Sequence, residues 1–251
     1  MANLREIEAF LNEQLRIAEI PDYSGAVNGL QLDGAGDVRK VIAAVDASLP
    51  VVEKAVAAGG DLLIVHHGMF WQGTQPLVGP FFRKIKCAMD AGMAIYSAHL
   101  PLDVHPEWGN NACLVRDLGI EPTGTFLGSK GVDIGIVGTV DTTREALARK
   151  LEAVVGGAVH VCPGGSEAVR RIGICSGGAG SEVGEAAKCG VDTFITGEGP
   201  HWSYPLAEEL GINLFYGGHY ATETFGVRAL SEVLRSRFGV AAEFIDHPTG
   251  L

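Results

Sequence analysis

The chain has 251 residues, 47% of them hydrophobic and 20% charged, enough apolar material for one large α/β domain or two small ones, and a composition that excludes disorder. A net charge of -11, with 19 basic residues and no dense cluster among them, disfavours a nucleic-acid partner, because phosphate contacts need grouped Lys and Arg. No apolar run has the length of a membrane span, and five scattered cysteines without a C-x-x-C argue against a disulfide framework or a zinc ribbon.

The opening stretch, MANLREIEAFLNEQL, reads as an amphipathic helix and not as a signal peptide, which predicts a cytoplasmic protein. VIAAVD (41–46) reads as a strand, and Ser48 with Pro50 marks the start of a helix that Gly59 and Gly60 stop. DLLIV (61–65) is the next buried strand and ends at His66-His67. MAIYSAH (93–99) repeats the strand signal, and SAHLPLD then spaces His99 and Asp103 four residues apart. A helix over GNNACLVRDLG follows. GVDIGIVG, VHVCPGG and RRIGIC read as strands, with a capped helix over TTREALARKLEAVVG. SGGAGS (176–181) is a glycine-rich turn that matches neither the dinucleotide fingerprint nor the P-loop. Glu198 lies in TGEGPHW, and a helix from His219 to about Arg237 carries His219 and Glu223 in its first turn.

The chain also aligns with itself. At an offset of 131, VIAAVDASLPVVEKAVAAGGDLLIVHHG sits over IGICSGGAGSEVGEAAKCGVDTFITGEG, with Asp61 on Asp192 and His66-His67 on Gly197-Glu198. At an offset of 120, AIYSAHLPLD sits over LFYGGHYATE, with His99 on His219 and Asp103 on Glu223. The pattern predicts an α/β fold of two related, intertwined halves, with mixed sheets covered by helices. Residues 1–130 carry His66, His67 and Asp103; residues 131–251 carry Glu198, His219 and Glu223; no low-complexity linker divides them, so they read as one interwoven unit.

Successive side chains on a strand point to opposite faces, so adjacent histidines rarely chelate one ion. At the carboxyl end of a buried strand, where α/β proteins place their sites, they can serve two neighbouring metals, or one metal and an orienting contact. On a helix, His219 and Glu223 share a face and can hold one ion or bridge two; the plain alternative is a first-turn carboxylate favoured by the helix dipole, with His219 as a cap. Asp103, in a loop after a proline, is by default a turn former, and its alignment with Glu223 promotes it. His99 is read as an orienting partner or acid/base group, and Glu198 as a general base or proton shuttle. Imidazole and carboxylate ligands at His66, His67, Asp103, His219 and Glu223 suit two divalent ions of zinc, iron, manganese, cobalt or nickel better than calcium or magnesium. Such a pair activates water, so hydrolysis is the natural reaction class.

Taken together, NGLQLDG (28–34), VIAAVDAS, DLLIVHHGMFW, YSAHLPLD with GNNACL, TGEGPHW and GGHYATE resemble the NIF3-like dinuclear metal-centre family, the GTP cyclohydrolase 1 type 2 homologues. The resemblance covers nearly the whole chain. It implies a two-metal site on His66, His67, Asp103, His219 and Glu223, a duplicated and intertwined α/β fold, and a homo-oligomer in the form of a hexameric ring. It also implies a small-molecule substrate, a nucleotide whose purine imidazole ring is attacked by water at C8, although no guanine pocket is legible in the residues. Gly68 stands where many members have proline, which is expected to loosen the turn after the histidines. Two other readings accompany the cyclohydrolase: a metal-dependent phosphoesterase acting on nucleotides, and a non-catalytic hexameric metal-binding scaffold or regulator. A Rossmann-like dinucleotide binder is set aside, because VDASLP stands where its glycine fingerprint belongs.

Overall fold

The computed structural model describes residues 1–251. In chain order it begins with β1 (Ala2–Asn3), α1 (Leu4–Gln14), β2 (Gly29–Leu32), β3 (Asp37–Val38), β4 (Lys40–Asp46), α2 (Leu49–Ala57), β5 (Leu62–His67), α3 (Gly79–Ala91), β6 (Ala94–Ser97), α4 (Leu100–Asp103) and α5 (Asn110–Asp117). The chain continues through β7 (Glu121–Ser129), β8 (Val132–Thr143), α6 (Arg144–Val155), β9 (His160–Pro163), β10 (Ala168–Ile174), a 3-10 turn at Gly180–Glu182 and α7 (Val183–Lys188). It closes with β11 (Thr193–Thr196), α8 (Ser203–Leu210), β12 (Asn213–Tyr216), α9 (His219–Thr222), α10 (Thr224–Phe238) and β13 (Ala241–Phe244). The fold is mixed α/β, and no helix is long and apolar enough to cross a membrane.

Two compact units emerge. One comprises Met1–Leu102 with Gly226–His247, the other Asp103–Phe225 with Pro248–Leu251. The chain therefore leaves the first unit after Leu102 and returns to it within α10.

In the first unit a five-stranded sheet has the order β13-β4-β5-β6-β2, parallel except for β2, which runs antiparallel to β6. Alternate residues Ile42, Ala44, Leu63, Val65 and Ile95 form one buried layer with Val51, Val52 and Ala55 of α2, as the period of two dictates. Pro50 sits in the first turn of α2, where its missing N–H costs nothing; Ser48 is extended there but makes no capping bond. In α1, Asn3 caps by accepting from Arg5 N, and Leu4, Ile7 and Leu11 form the buried stripe.

The second unit holds a six-stranded sheet ordered β7-β8-β10-β11-β12-β9, in which β10, β11 and β12 are parallel. Both of its faces are covered. Phe194 and Leu214 pack with Val183, Ala186 and Ala207 on one side, and Ile195 and Phe215 with Leu114, Leu147 and Leu151 on the other. That is why these strands read as continuous apolar runs.

The self-alignment has a counterpart in hydrogen bonding. Asp61 Oδ2 accepts from Arg39 N (2.8 Å) and Lys40 N (3.0 Å), and Asp192 Oδ2 accepts from Arg170 N and Arg171 N (both 2.8 Å). Asp61 ties down the start of β4 and Asp192 the middle of β10, in each case the strand preceding the one that follows the carboxylate. The next strand shows a different register from the motif alignment. Leu62 pairs with Ala94 and Thr193 with Asn213, so Ala94 corresponds to Asn213 and His99 to Gly218. His99 thus precedes α4, whereas His219 opens α9.

The helix expected from His219 to Arg237 is broken. Glu223, at φ -106° and ψ 2°, separates α9 from α10. Thr222 Oγ1 donates back to Gly218 O and His219 O and accepts from Gly177 N, which turns the backbone out of the helix at this point.

Candidate metal centre

Three histidines gather at the carboxyl ends of β5 and β6. His66 and His67 are the last residues of β5, and His99 lies two residues beyond β6. One ring nitrogen from each lies within 4.8 Å of those of the other two. The imidazole centroids are 4.8 Å apart for His66–His67 and 4.9 Å for His66–His99. His66 is fully buried, while His67 and His99 are partly open.

Each ring is held from behind. Nδ1 of His66 meets Ala98 O, Nδ1 of His67 meets Asp46 Oδ1, and Nδ1 of His99 meets Asp22 Oδ1, all at 2.9 Å. An oxygen acceptor at Nδ1 draws the imidazole hydrogen to that nitrogen and leaves the ring lone pair on Nε2, the arrangement that metal-ligating histidines need. Sequence reasoning missed Asp22 and Asp46. Asp46 closes the strand VIAAVD, and the parallel pairing of β4 with β5 sets it in register with His67.

Asp22 has no such pairing, yet its side chain is only 6% exposed and satisfies four donors: His99 Nδ1, Leu100 N (2.9 Å), Asn28 Nδ2 (2.8 Å) and Tyr23 N (2.6 Å). Burial works to raise its carboxyl pKa, but the hydrogen bonds from His99 and Asn28, with the His99 charge, prevail and hold it below the usual carboxylate range. Asn28 Oδ1 in turn accepts from His99 N at 2.7 Å, so the loop before β2 grips both backbone and ring of this histidine.

In the second unit, His219 Nδ1 faces Glu198 Oε1 at 2.7 Å and His219 Nε2 faces Glu223 Oε2 at 3.2 Å. The hydrogen bond to Glu223 is the main reason the imidazole is pushed up to about 9, with Glu198 adding to it and burial opposing. Without a metal, the imidazolium stands between two carboxylates. Glu223 is buried at 4% exposure, and the space it needs comes from Gly177, whose φ of +69° few other residues adopt and whose Cβ, if present, would run into Glu223 Oε1. The glycine-rich SGGAGS stretch therefore backs a carboxylate. Asp103, at the end of α4, accepts at Oδ1 from Asn110 Nδ2 (2.9 Å) and from Ser176 Oγ (3.4 Å). Burial, and then the charges of Asp103 and Glu223, raise the Cys175 thiol.

The remaining histidines are engaged elsewhere. His105 stacks on Trp108 at 4.3 Å, His160 lies parallel to Tyr216, and His247 Nδ1 meets Lys54 Nζ at 3.0 Å; His201 is exposed. After the β5 histidines, Gly68 does not leave a loose turn. Gln31 stitches it, donating from Nε2 to Ala26 O and Val27 O and accepting from Met69 N at Oε1.

Imidazole nitrogen beside carboxylate oxygen is the donor chemistry of divalent transition ions, and the residues present fit such a group. The sequence matches the family Duf34/NIF3 (NGG1p interacting factor 3) over residues 2–249. The chain belongs to that family. Within the Duf34/NIF3 family it is 43% identical over 251 residues to a GTP cyclohydrolase 1 type 2 homolog of Archaeoglobus fulgidus, covering 99% of this chain and 100% of the relative. It is 39% identical over 248 residues to the protein of the same name from Deinococcus radiodurans, with 98% and 94% covered. Among solved structures, protein ybgI, of unknown function, superposes with a TM-score of 0.92 at 38% identity and full coverage of both chains. Reduced HcgD from Methanocaldococcus jannaschii superposes with a TM-score of 0.86 at 26% identity, covering 98% of each.

Proposed function

We propose that this Duf34/NIF3 chain is a dinuclear metal-dependent hydrolase of the GTP cyclohydrolase 1 type 2 kind. His66, His67, Asp103, His219 and Glu223 would hold two divalent ions of zinc, iron, manganese, cobalt or nickel. The observation that carries the reading is the seating of the imidazoles: Nδ1 of His66, His67, His99 and His219 each meets an oxygen acceptor at 2.7 to 2.9 Å. Four histidines oriented from behind by an acceptor are what ligand and proton-transfer roles require, and more than a packed core needs.

When bound, such a pair of ions supplies Lewis acidity that brings the pKa of a water toward neutrality. The chain's own residues do the rest. His99, fixed through Asp22 and Asn28, takes or returns a proton at Nε2. Glu198 steadies His219 through Oε1, and its side chain, 41% exposed, exchanges a proton with solvent. The name carried by the relatives, GTP cyclohydrolase 1 type 2 homolog, supports a nucleotide substrate, and we infer that water opens its purine imidazole ring at C8. We further infer that the protein works as a homo-oligomer, a hexamer, to be checked by light scattering on the purified protein.

The test incubates metal-loaded protein with GTP and a panel of nucleotides and follows ring opening, formate and phosphate release, with Glu223→Ala as control. Ring opening lost in the variant is the expected result. Phosphate release alone would indicate a phosphoesterase. Equal product from wild type and variant, or metal uptake with no turnover of any nucleotide, would sink the cyclohydrolase reading and leave a metal-binding scaffold.

A further inference from the structure

Two aromatic side chains stand beside the histidine cluster, and the hydrolytic roles leave them without a task. Tyr23 is 51% exposed and Trp71 is 38% exposed. Single exposed rings are ordinary, but these two stand together, 6.3 Å apart, beside the histidine cluster.

Both are held on stitched backbone. Tyr23 N donates to Asp22, which also receives His99. Gly25 packs so closely on the Trp71 backbone that a Cβ there would come within 2.8 Å of Trp71 Cα and O. Gln31 then joins the Ala26–Val27 carbonyls to Met69 N. The two loops thus form one edge, with Tyr23 and Trp71 on it.

The ring geometry points at the histidines. Trp71 meets His99 at 4.8 Å and His67 at 5.8 Å, both at 80°, so the indole stands upright against the imidazoles. Tyr23 lies 6.1 Å from His99 and 6.3 Å from Trp71, tilted 51° to the indole. A flat ring stacked on one of them meets the other toward its edge, the two arrangements that aromatic groups prefer. The segments 21–35 and 66–78 contain no Lys or Arg, so neither loop supplies a cation to grip a phosphate. What it offers a ligand is π surface.

We propose that Tyr23 and Trp71 form a stacking wall that receives a planar heteroaromatic ring and presents it to the imidazoles of His67 and His99. The proposal deepens the reading of the cluster as a reactive centre and rests on it for the purpose of the wall, though the wall's binding is testable without turnover.

The experiment uses full-length, metal-loaded protein and calorimetric titration with guanosine, adenosine and ribose 5-phosphate. Wild type is expected to bind the nucleosides in preference to ribose 5-phosphate. Trp71→Leu and Tyr23→Leu should each weaken nucleoside binding about tenfold, within the range of base–aromatic stacking. Trp71→Phe should retain most of it, and metal content, read by elemental analysis, should not change in any of the three. Nucleoside affinity equal in wild type and Trp71→Leu would overturn the wall, as would a wild type that binds no nucleoside at millimolar concentration. A change of assembly size in Trp71→Leu with nucleoside binding intact would assign the rings to a subunit contact and overturn it as well. Trp71-dependent nucleoside binding without turnover would uphold the wall while removing the hydrolase.

Discussion

For a histidine in this fold the informative nitrogen is the one turned away from the cluster. Asp46 and Asp22 act through Nδ1 of His67 and His99, and so set which atom carries the lone pair. Replacing such a partner usually costs 10- to 100-fold in metal affinity or activity. Asp46→Asn should therefore weaken metal binding by roughly that factor, measured by competition with a chromophoric chelator. Asp22→Asn should instead shift the His99 tautomer, visible in its imidazole nitrogen chemical shifts. Unchanged shifts would remove Asp22 from the site.

The metal-free His219 offers a pH signature. Its imidazole is raised from 6.5 to about 9, chiefly by Glu223, so the folded state holds the proton more tightly than the unfolded chain. The resulting stabilisation is complete below about 6.5 and is lost as pH rises through about 9. In EDTA, the urea midpoint should fall across that window for wild type and change less for Glu223→Gln. Parallel curves for the two proteins would refute the coupling.

Among the elements, the clearest correspondence between the two sheets is a carboxylate clamp, Asp61 holding backbone N–H groups at β4 and Asp192 holding those of β10. Each alanine substitution leaves two backbone N–H groups without their acceptor; most of these bonds are exposed and water can replace the carboxylate, so the loss is about 0.5–1.5 kcal/mol. Asp61→Ala and Asp192→Ala should destabilise by similar amounts in that range, measured by equilibrium denaturation. A large difference between them would mean the two clamps are not equivalent. The strands and most helices were legible because apolar runs and a period of 3.6 residues are local signals. The break at Glu223 was not, because the stretch YATETFGVRAL continues the helical pattern without a proline; Thr222, the last residue of α9, accepts from Gly177 N of a distant glycine loop, a contact no local pattern announces. The one-residue difference between the motif alignment and the strand register has the same origin, since pairing partners fix register and side-chain identity alone does not.

On the scale of the molecule, the C-terminal α10 and β13 return to complete the sheet of the first unit, with β13 parallel to β4. His66 and His67 belong to the first unit, and Asp103, His219 and Glu223 to the second. An ion that binds only the folded chain stabilises it by mass action, about 2.7 kcal/mol at 100 times its dissociation constant. Thermal melts should accordingly rise by several degrees on adding zinc or manganese to stripped protein and fall back with EDTA. Melts that do not respond to any of the five candidate metals would remove the metal centre.

The sequence by itself determined the α/β class, the strands that end in His66-His67 and precede His99, and the family, because each rests on local periodicity or on contiguous motifs. Only the tertiary structure decided what holds those histidines in place. Asp22 reaches His99 across 77 residues of chain and Asp46 reaches His67 across 21, and hydrogen bonds of that span leave no pattern in the residues between them. Gly177 and the turn at Glu223 belong to the same class, their conformation set by side chains that approach only once the sheets have formed.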